Sequence, residues 1–382
     1  MTGAFDDVQT PSLVLDVDRL KRNIARGRAR ADALGVRLRP HLKTCKSVDV
    51  ARLLVGDDAI AAVSTLAEAK AFIEAGVRRL RITAPFAPNK AAVVAPWVAD
   101  GVDFEILLDD PASAAAVADA AERAGATIAA LIEIDVDGAR GGVRADDPRF
   151  AALLETIRTR PGLDFAGLYV YGGATYGLVD RAARVKRIET LRAAGAGLAA
   201  SLRADGIDCR TVGIGGSPVL AAAPSLEGFT EACAGVFVFQ DLAQCAVGVA
   251  ALDDVAVDVL ATVAQHKPDA GALFVDAGGL ALSCDRSTAA YDVDQGYGLV
   301  CDVEGTPVGD GDVVVASVSQ EHGRVARRDG SPPPFYVMPV GATVRILPNH
   351  ACMTAAAYED YLLVENGAPT GARWPRGNGW AA

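Results

Sequence analysis

Between Asp16 and about Ala250, short β-rich runs alternate with alanine-rich helical stretches. This alternation is typical of repeated βα units, in which helices cover parallel strands. The predicted strands are residues 36–41, 59–64, 80–83, 103–108, 128–135, 164–170, 209–213 and 235–239. Eight strands close an α/β barrel. The pattern therefore predicts a TIM-type (β/α)8 barrel over residues 17–252, with helices such as 17–34, capped by Asp16, and 180–204.

After Leu252 the pattern changes to closely spaced strands without long helices between them. The predicted strands here are residues 255–263, 272–277, 298–303, 312–318, 343–347 and 361–365. Segments rich in Gly, Asp and Pro at 309–311 and 329–334 predict turns between them. We therefore expect a C-terminal β domain over residues 253–382, in which the Gly- and Pro-rich tail from Gly367 is not assigned.

Composition favours a small molecule as the partner of this chain. The 382 residues include 51% hydrophobic and 22% charged residues, with a net charge of −11 at pH 7. Such a negative chain disfavours nucleic acids and anionic membranes as partners. No basic segment precedes an apolar run near Met1, and no apolar run is long enough to cross a bilayer, so we expect a cytoplasmic protein. The seven scattered cysteines lack a C-x-x-C pair, which indicates reduced thiols.

The first predicted barrel strand carries a row of cationic side chains. Because side chains alternate between the faces of a strand, one face is predicted to hold Arg37, Arg39, His41 and Lys43. At the carboxyl end of a barrel strand, Lys43 would have its pKa depressed by these cations and would form a Schiff base. The alternative is a surface edge strand with solvated charges. Lys46 is expected to enter the next helix and face solvent.

Short motifs are spread in a fixed order over nearly the whole chain. They are residues 10–16 (TPSLVLD), 39–44 (RPHLKT), 133–143 (EIDVDGARGGV), 213–218 (GIGGSP), 237–241 (FVFQD), 275–278 (VDAG), 321–323 (EHG) and 348–352 (PNHAC). Together they resemble the fold-type III pyridoxal-phosphate enzymes, in the branch of D-serine dehydratases and D-threonine aldolases related to alanine racemase. The resemblance implies a barrel that binds pyridoxal 5'-phosphate, a homodimer, and a β domain built from residues 1–16 and 253–382.

The resemblance also assigns side chains to the cofactor. Lys43 matches the lysine that holds the cofactor as a Schiff base, and His41 lies in the same motif. Arg140 matches an arginine that approaches the phenolic oxygen of the cofactor. From the residues alone, Arg140 is equally a surface arginine in an ion pair with an acid such as Asp137.

A glycine-rich loop follows the seventh predicted strand, where barrels commonly bind phosphate. Free backbone N–H groups in this loop would point at a phosphate, from Gly215, Gly216 and Ser217. The alternative is a tight turn. By the resemblance, Tyr169 and Tyr176 flank the cofactor, one against the imine and the other toward the phosphate, whereas the residues alone are equally consistent with core aromatics.

His350 and Cys352 are predicted metal ligands. In an extended segment, side chains two residues apart share a face, and imidazole with thiolate suits Zn²⁺. Two protein ligands leave positions open for water and substrate. Without the resemblance the pair is incidental; with it, Cys352 favours a metal-dependent dehydratase, with zinc or another divalent ion such as Mn²⁺, because the aldolases tend to have an aspartate there. His322 is expected near the opening of the same site.

The resemblance implies a lyase that acts on a D-β-hydroxy amino acid. Lys43 would take the α-proton and the metal would stabilise the leaving β-hydroxyl, which gives a keto acid and ammonia, as in D-serine dehydratase. One alternative is aldolase cleavage to glycine and an aldehyde, for which the family uses a histidine near where Tyr176 stands. Others are a racemase, a non-catalytic carrier of the cofactor, and a barrel without it. Tyr171 and Cys233 depart from the dehydratase pattern of histidine and arginine, which leaves the substrate open.

Overall fold

The computed structural model describes residue 5 and residues 7–56, 59–138 and 140–382. Residues 1–4 and 6 of the predicted β domain and residues 57, 58 and 139 of the predicted barrel lie outside the described residues. The chain divides into two compact units, Arg26–Gly235 with Gly377–Ala382, and Met1–Ala25 with Val236–Arg376. The domain bounds at 17–252 and at 1–16 with 253–382 stay a prediction.

Strands occur throughout the described chain and are numbered in chain order. They are β1 (Ser12–Asp16), β2 (Arg37–Pro40), β3 (Ile60–Val63), β4 (Arg79–Ile82), β5 (Asp103–Leu108), β6 (Ile128–Ile134), β7 (Leu163–Tyr171), β8 (Thr211–Gly215), β9 (Glu231–Ala234), β10 (Val257–Lys267), β11 (Ala272–Val275), β12 (Leu299–Cys301), β13 (Val313–Val318), β14 (Gly323–Arg327), β15 (Thr343–Leu347), β16 (Asp360–Glu365) and β17 (Ala368–Pro375).

The helices are numbered in chain order, and several of them begin where a polar side chain accepts one of their first N–H groups. They are α1 (Val17–Ala33), α2 (Val48–Val55), α3 (Leu66–Glu74), α4 (Ala91–Ala99), α5 (Pro111–Arg123), α6 (Pro148–Thr159), α7 (Arg181–Ala204), α8 (Ser217–Ala222), α9 (Leu242–Ala246), α10 (Gly279–Leu282) and α11 (Ala351–Ala355). Asp16 accepts the N–H of Arg19 at 2.8 Å, as the predicted cap of α1 requires. Side chains likewise cap α3, α5, α6, α7 and α9. No helix of the described residues is long and apolar enough to span a membrane.

A closed parallel sheet forms the first unit, in the order β2-β9-β8-β7-β6-β5-β4-β3. It closes between β2 and β3, where His41 pairs with Ala62 and the N–H of Leu42 donates to the carbonyl of Ala62 at 2.8 Å. Helices α2–α8 connect successive strands. The predicted (β/α)8 barrel is confirmed. The alternative of a surface edge strand is wrong for β2, because β2 lies between β9 and β3.

Four charged side chains fill the inside of the barrel below the ends of the strands. They come from β2, β4, β5 and β9, and each is at most 6% exposed: Arg39, Arg81, Glu105 and Glu231. Arg39 donates to both carboxylate oxygens of Glu231 at 3.0–3.1 Å and contacts Glu105 at 3.0 Å. Arg81 bonds the same two glutamates. Burial opposes ionisation of Glu231, but both arginines lower the pKa of Glu231 to about 2, so this carboxylate stays ionised.

The eighth barrel strand differs from the predicted residues 235–239. It is β9, which begins at Glu231, whereas Val236–Val238 form a 3-10 helix. The apolar run at 236–239 has the composition of a buried strand, and a glutamate does not. Because Glu231 is neutralised by arginines distant in the sequence, its segment enters the barrel instead.

The second unit is a β structure that is mostly antiparallel. Its strand order is β11-β14-β13-β12-β15-β10-β1-β16-β17, and β11 also pairs with β10, so six of these strands form a closed ring. Strand β1 pairs antiparallel with β10 and parallel with β16, as expected for residues 12–15. The expected second, C-terminal β domain is confirmed. Strands β14 and β17 escaped prediction because both contain arginines and glycine.

Replacing Glu231 with glutamine is expected to lower the free energy of unfolding by about 3–5 kcal/mol, because breaking a buried ion pair leaves uncompensated charge on Arg39 and Arg81. Urea denaturation measures this loss. The control is Asp164→Asn, which removes the exposed partner of Arg210 and should cost about 0–1 kcal/mol. A loss for Glu231→Gln no larger than that of the control would contradict the role given to the cluster.

Candidate active site

A cavity of about 490 Å³ lies at the carboxyl ends of the barrel strands. Its charged lining residues follow or end β2, β5 and β6: Lys43, Asp109, Glu133 and Arg140. Apolar segments such as 84–88 and 107–108 complete the wall. This size and mixture suit a small polar ligand, and this end of a barrel is where such folds carry chemistry.

Lys43 lies in the turn directly after β2 and is half-buried. Its backbone N–H donates to Nδ1 of His41 at 3.3 Å, and Nε2 of His41 lies 2.7 Å from Oγ1 of Thr83. Since Nδ1 accepts, Nε2 carries the proton and donates to Thr83. Burial, and then the charges of Lys43 and Arg140, hold the pKa of His41 well below 6.5. His41 is therefore neutral and fixes the turn that presents Lys43.

The prediction that Lys46 enters the next helix and faces solvent is wrong. Lys46 lies in the turn before α2 with a φ of +45°, and its ammonium pairs with the buried carboxylate of Glu68 at 3.1 Å. Glu68 also accepts the N–H of Ser64 at 2.7 Å. The pairing holds Lys46 against α3, whereas Lys43 lines the cavity.

Arg140 reaches the cavity from the loop after β6. Nη2 of Arg140 donates to Glu133 at 2.9 Å, and its guanidinium lies 3.7 Å from the centre of the Tyr171 ring. The ion-pair partner is thus Glu133 rather than Asp137. Burial raises the pKa of Glu133, and Arg140 acts against that rise.

The glycine loop after β8 offers fewer free donors than expected. The N–H of Gly216 donates to the carbonyl of Cys233 at 2.9 Å, and that of Ser217 donates to the hydroxyl of Tyr176 at 3.0 Å. The φ of Gly216 is +136°, which side chains disfavour. At this loop the amide of Ser217 and the phenol of Tyr176 are therefore paired with each other.

Tyr169 lies inside the barrel and is 2% exposed. A Cβ at Gly215 would overlap its hydroxyl, so the glycine makes room for the ring. The hydroxyl also bonds the thiol of Cys233, and burial raises the pKa of both groups, Tyr169 to well above 10. The phenol and the thiol are therefore uncharged.

The predicted cofactor residues fall into two groups. Lys43 and Arg140 line the cavity, with His41 bonded to the turn of Lys43. Tyr176 and Ser217 pair with each other at the end of β8 and are not among the residues that line this cavity. In the sheet, only strand β9 lies between β8 and β2. The amine of Lys43 after β2 suits the aldehyde of pyridoxal phosphate, and the pair of Ser217 and Tyr176 after β8 suits its phosphate.

The two predicted metal ligands lie at the start of α11, not in an extended segment. His350 precedes the helix and Cys352 is its second residue. Their side chains are hydrogen-bonded, and Nδ1 of His350 lies 3.4 Å from Asp285. Burial opposes protonation, but Asp285 and Cys352 raise the pKa of His350 to about 11. His322 is exposed.

Asp285 was not identified from the sequence, because it lies 65 residues from His350 and outside every motif. Its bond to His350 lowers its own pKa to about 2. Asp241 holds the helix start by accepting the N–H of Ala351 at 3.1 Å. Within the described ranges, no three His, Cys, Asp or Glu side chains form a metal-binding group. The imidazole of His350 and the thiol of Cys352 are ligand types that Zn²⁺ binds in proteins.

Comparisons with known proteins identify the family. The model of the alanine racemase N-terminal domain matches residues 15–242, and that of a putative serine dehydratase domain matches residues 256–364. The D-threo-3-hydroxyaspartate dehydratase of Delftia sp. (strain HT23) is 41% identical over 98% of each chain. The chain belongs to the D-serine dehydratase and D-threonine aldolase family of fold-type III pyridoxal-phosphate enzymes. The resemblance of its motifs is confirmed, and the family consists of pyridoxal-phosphate-dependent lyases.

Two further family members bear on the chemistry. The D-threonine aldolase of Arthrobacter sp. is 29% identical over 94% of this chain and 90% of its own. A solved structure of a D-threo-3-hydroxyaspartate dehydratase with a cysteine-to-alanine change is described as its metal-free form. That structure matches with a TM-score of 0.93 and 40% identity, and covers 99% of this chain and 100% of its own.

Proposed function

We propose that this protein is a metal-dependent dehydratase of D-β-hydroxy amino acids, with D-threo-3-hydroxyaspartate or D-serine as substrate. The observation that carries the proposal is the hydrogen-bonded pair of His350 and Cys352. It occurs in a chain that is 41% identical, end to end, to a D-threo-3-hydroxyaspartate dehydratase. The products are a keto acid and ammonia.

Lys43 is the proposed base and cofactor lysine. Pyridoxal phosphate, when bound, supplies an electron sink for the charge that develops at Cα. Lys43 stands at the carboxyl end of β2, where its free amine takes the α-proton. The neutral imidazole of His41 accepts the N–H of Lys43 and so keeps the turn in place.

The remaining cofactor contacts follow from the barrel. Ser217 and Tyr176, which pair with each other at 3.0 Å, are the proposed phosphate ligands. Gly215 and Gly216 are the proposed glycines of the phosphate loop, where the absence of side chains would let the phosphate approach the backbone. Arg140 is the proposed partner of an anionic cofactor oxygen, and Tyr169 closes the barrel interior with an uncharged hydroxyl.

His350 and Cys352 are the proposed ligands of Zn²⁺ or another divalent ion such as Mn²⁺. A metal there would supply a Lewis acid for the β-hydroxyl. Asp285 lies 3.4 Å from Nδ1 of His350, so a metal would be bound through Nε2, and a carboxylate commonly has this role behind a ligating histidine. A homodimer and a cytoplasmic location stay predictions.

Aldolase cleavage is the second candidate, and two observations count against it. The resemblance places the histidine base of the aldolases near Tyr176, and in this chain the hydroxyl of Tyr176 accepts the N–H of Ser217. The aldolase relative is 29% identical to this chain, against 41% for the dehydratase. Neither relative is a racemase or a non-catalytic carrier.

With D-threo-3-hydroxyaspartate, the enzyme is expected to release oxaloacetate and ammonia, and with D-serine pyruvate and ammonia. Glycine should form at least about 10²-fold more slowly than the keto acid. The reason is that a positioned general base is worth about 10²–10⁴-fold in rate, and the aldolase base is missing. Product analysis by NMR distinguishes the keto acid from glycine, with the L-enantiomers as control substrates. Glycine as the main product from D-threonine, without ammonia from D-serine, would make the enzyme an aldolase.

Substitution of the metal ligands should separate metal binding from cofactor binding. We expect His350→Ala and Cys352→Ala to bind no zinc and to keep the visible absorption of the bound cofactor. Asp285→Asn should weaken zinc binding about 10–100-fold, the usual effect of losing such a carboxylate. The matched control is Asp294→Asn, which removes the partner of Arg286. Competition with a chelator measures the affinities, and full zinc content in both alanine variants would contradict the assignment.

A further inference from the structure

Arg140 is held on two sides, although it is one of the more exposed residues of the cavity. Its side chain is 42% exposed. Glu133 accepts from Nη2 at 2.9 Å, and the ring of Tyr171 lies under the guanidinium at 3.7 Å. The two contacts use one end and one face of a planar cation, so they determine the plane in which its other donors point.

The loop that carries Arg140 is anchored independently of that side chain. Asp109 accepts the N–H of Gly142 at 2.9 Å. Asp135 accepts the N–H groups of Asp137 and Gly138 at 3.2 and 2.6 Å. These bonds hold the backbone at Asp137 and Gly138 before Arg140 and at Gly142 after it, without using the guanidinium.

The ring of Tyr171 sits in a slot that two glycines provide. Tyr171 is the last residue of β7. A Cβ at Gly173 would lie 2.6 Å from Cε1 of the ring, and a Cβ at Gly215 would lie 3.2 Å from Cδ2. Both distances are shorter than ordinary contacts, so the ring keeps this position because both residues lack a side chain.

The chemistry of the residue at 171 decides what this slot does to Arg140. An aromatic ring attracts a guanidinium through its π face, with an energy of about 0.5–2 kcal/mol. A histidine at this position would lose that attraction when protonated and would then repel the arginine. Tyrosine therefore gives this chain an attractive platform that does not depend on imidazole protonation.

We propose that Tyr171 is a positioning residue, whose ring holds the guanidinium of Arg140 in the orientation that binds the cofactor in the cavity lined by Lys43. This inference rests on the proposed function, because it takes Arg140 as a ligand of pyridoxal phosphate. Tyr171 acts only through Arg140. Its loss should therefore matter only while the arginine is present.

The test measures binding of pyridoxal phosphate to the full-length apoenzyme by absorbance titration. Tyr171→Leu, which removes the ring, should weaken binding about 3- to 30-fold, the equivalent of a cation–π contact. Tyr171→Phe keeps the ring and should stay within about twofold of wild type. Tyr171→His should match Tyr171→Phe above pH 7 and lose affinity as the pH falls below about 6.5, since the imidazolium repels Arg140.

A double-mutant cycle separates positioning from a general effect on the fold. Tyr171→Leu should cause no further loss of binding in an Arg140→Ala background, because the arginine that it positions is already absent. Equal losses in both backgrounds, or a Tyr171→Phe variant as weak as Tyr171→Leu, would overturn the inference. Should Tyr171→Leu not fold, the pH profile of Tyr171→His against Tyr171→Phe decides. A wild-type protein that does not bind the cofactor overturns the proposed function itself.

Discussion

Two arginines and two glutamates neutralise one another inside the barrel, and the strands that carry them are held in register by these bonds. Arg39 comes from β2, and Glu231 comes from its neighbour β9. His41 stands two residues after Arg39 on the same side, and Lys43 follows in the turn beyond. The charge cluster thus sets the height and direction at which the end of β2 presents Lys43. Removal of one charge would leave a net charge buried without compensation, so the four side chains stabilise the barrel only as a set.

Above this cluster the barrel interior is polar and uncharged. The imidazole of His41, the phenol of Tyr169 and the thiol of Cys233 all have pKa values shifted toward their neutral forms by burial. Charge returns at the cavity, with Lys43 and the pair of Arg140 and Glu133. A low-dielectric layer beneath a few charged groups strengthens their interaction with an anionic ligand. In the other unit, the imidazole of His350 contacts a carboxylate, Asp285, which is not itself a predicted metal ligand.

Local patterns in the sequence predicted most of the fold, whereas long-range pairing escaped them. The alternation of strands and helices is a local property, so seven barrel strands and α1 were placed within a few residues. The eighth was misplaced, because the strand character of Glu231 depends on Arg39, which lies 192 residues away. Motifs likewise pointed to Lys43, Arg140, His350 and Cys352, but not to Asp285, the carboxylate beside His350. Asp285 lies 65 residues from His350 in the chain, and only folding brings the two side chains together.

The proposed chemistry depends on one covalent assignment, the attachment of the cofactor to Lys43. Borohydride reduction of the purified holoenzyme, followed by proteolysis and mass spectrometry, locates the reduced pyridoxyl group directly. The geometry predicts the group on Lys43, which lines the cavity, and not on Lys46, whose ammonium is held by Glu68. A pyridoxyl group on Lys46 or on any other lysine would contradict this account.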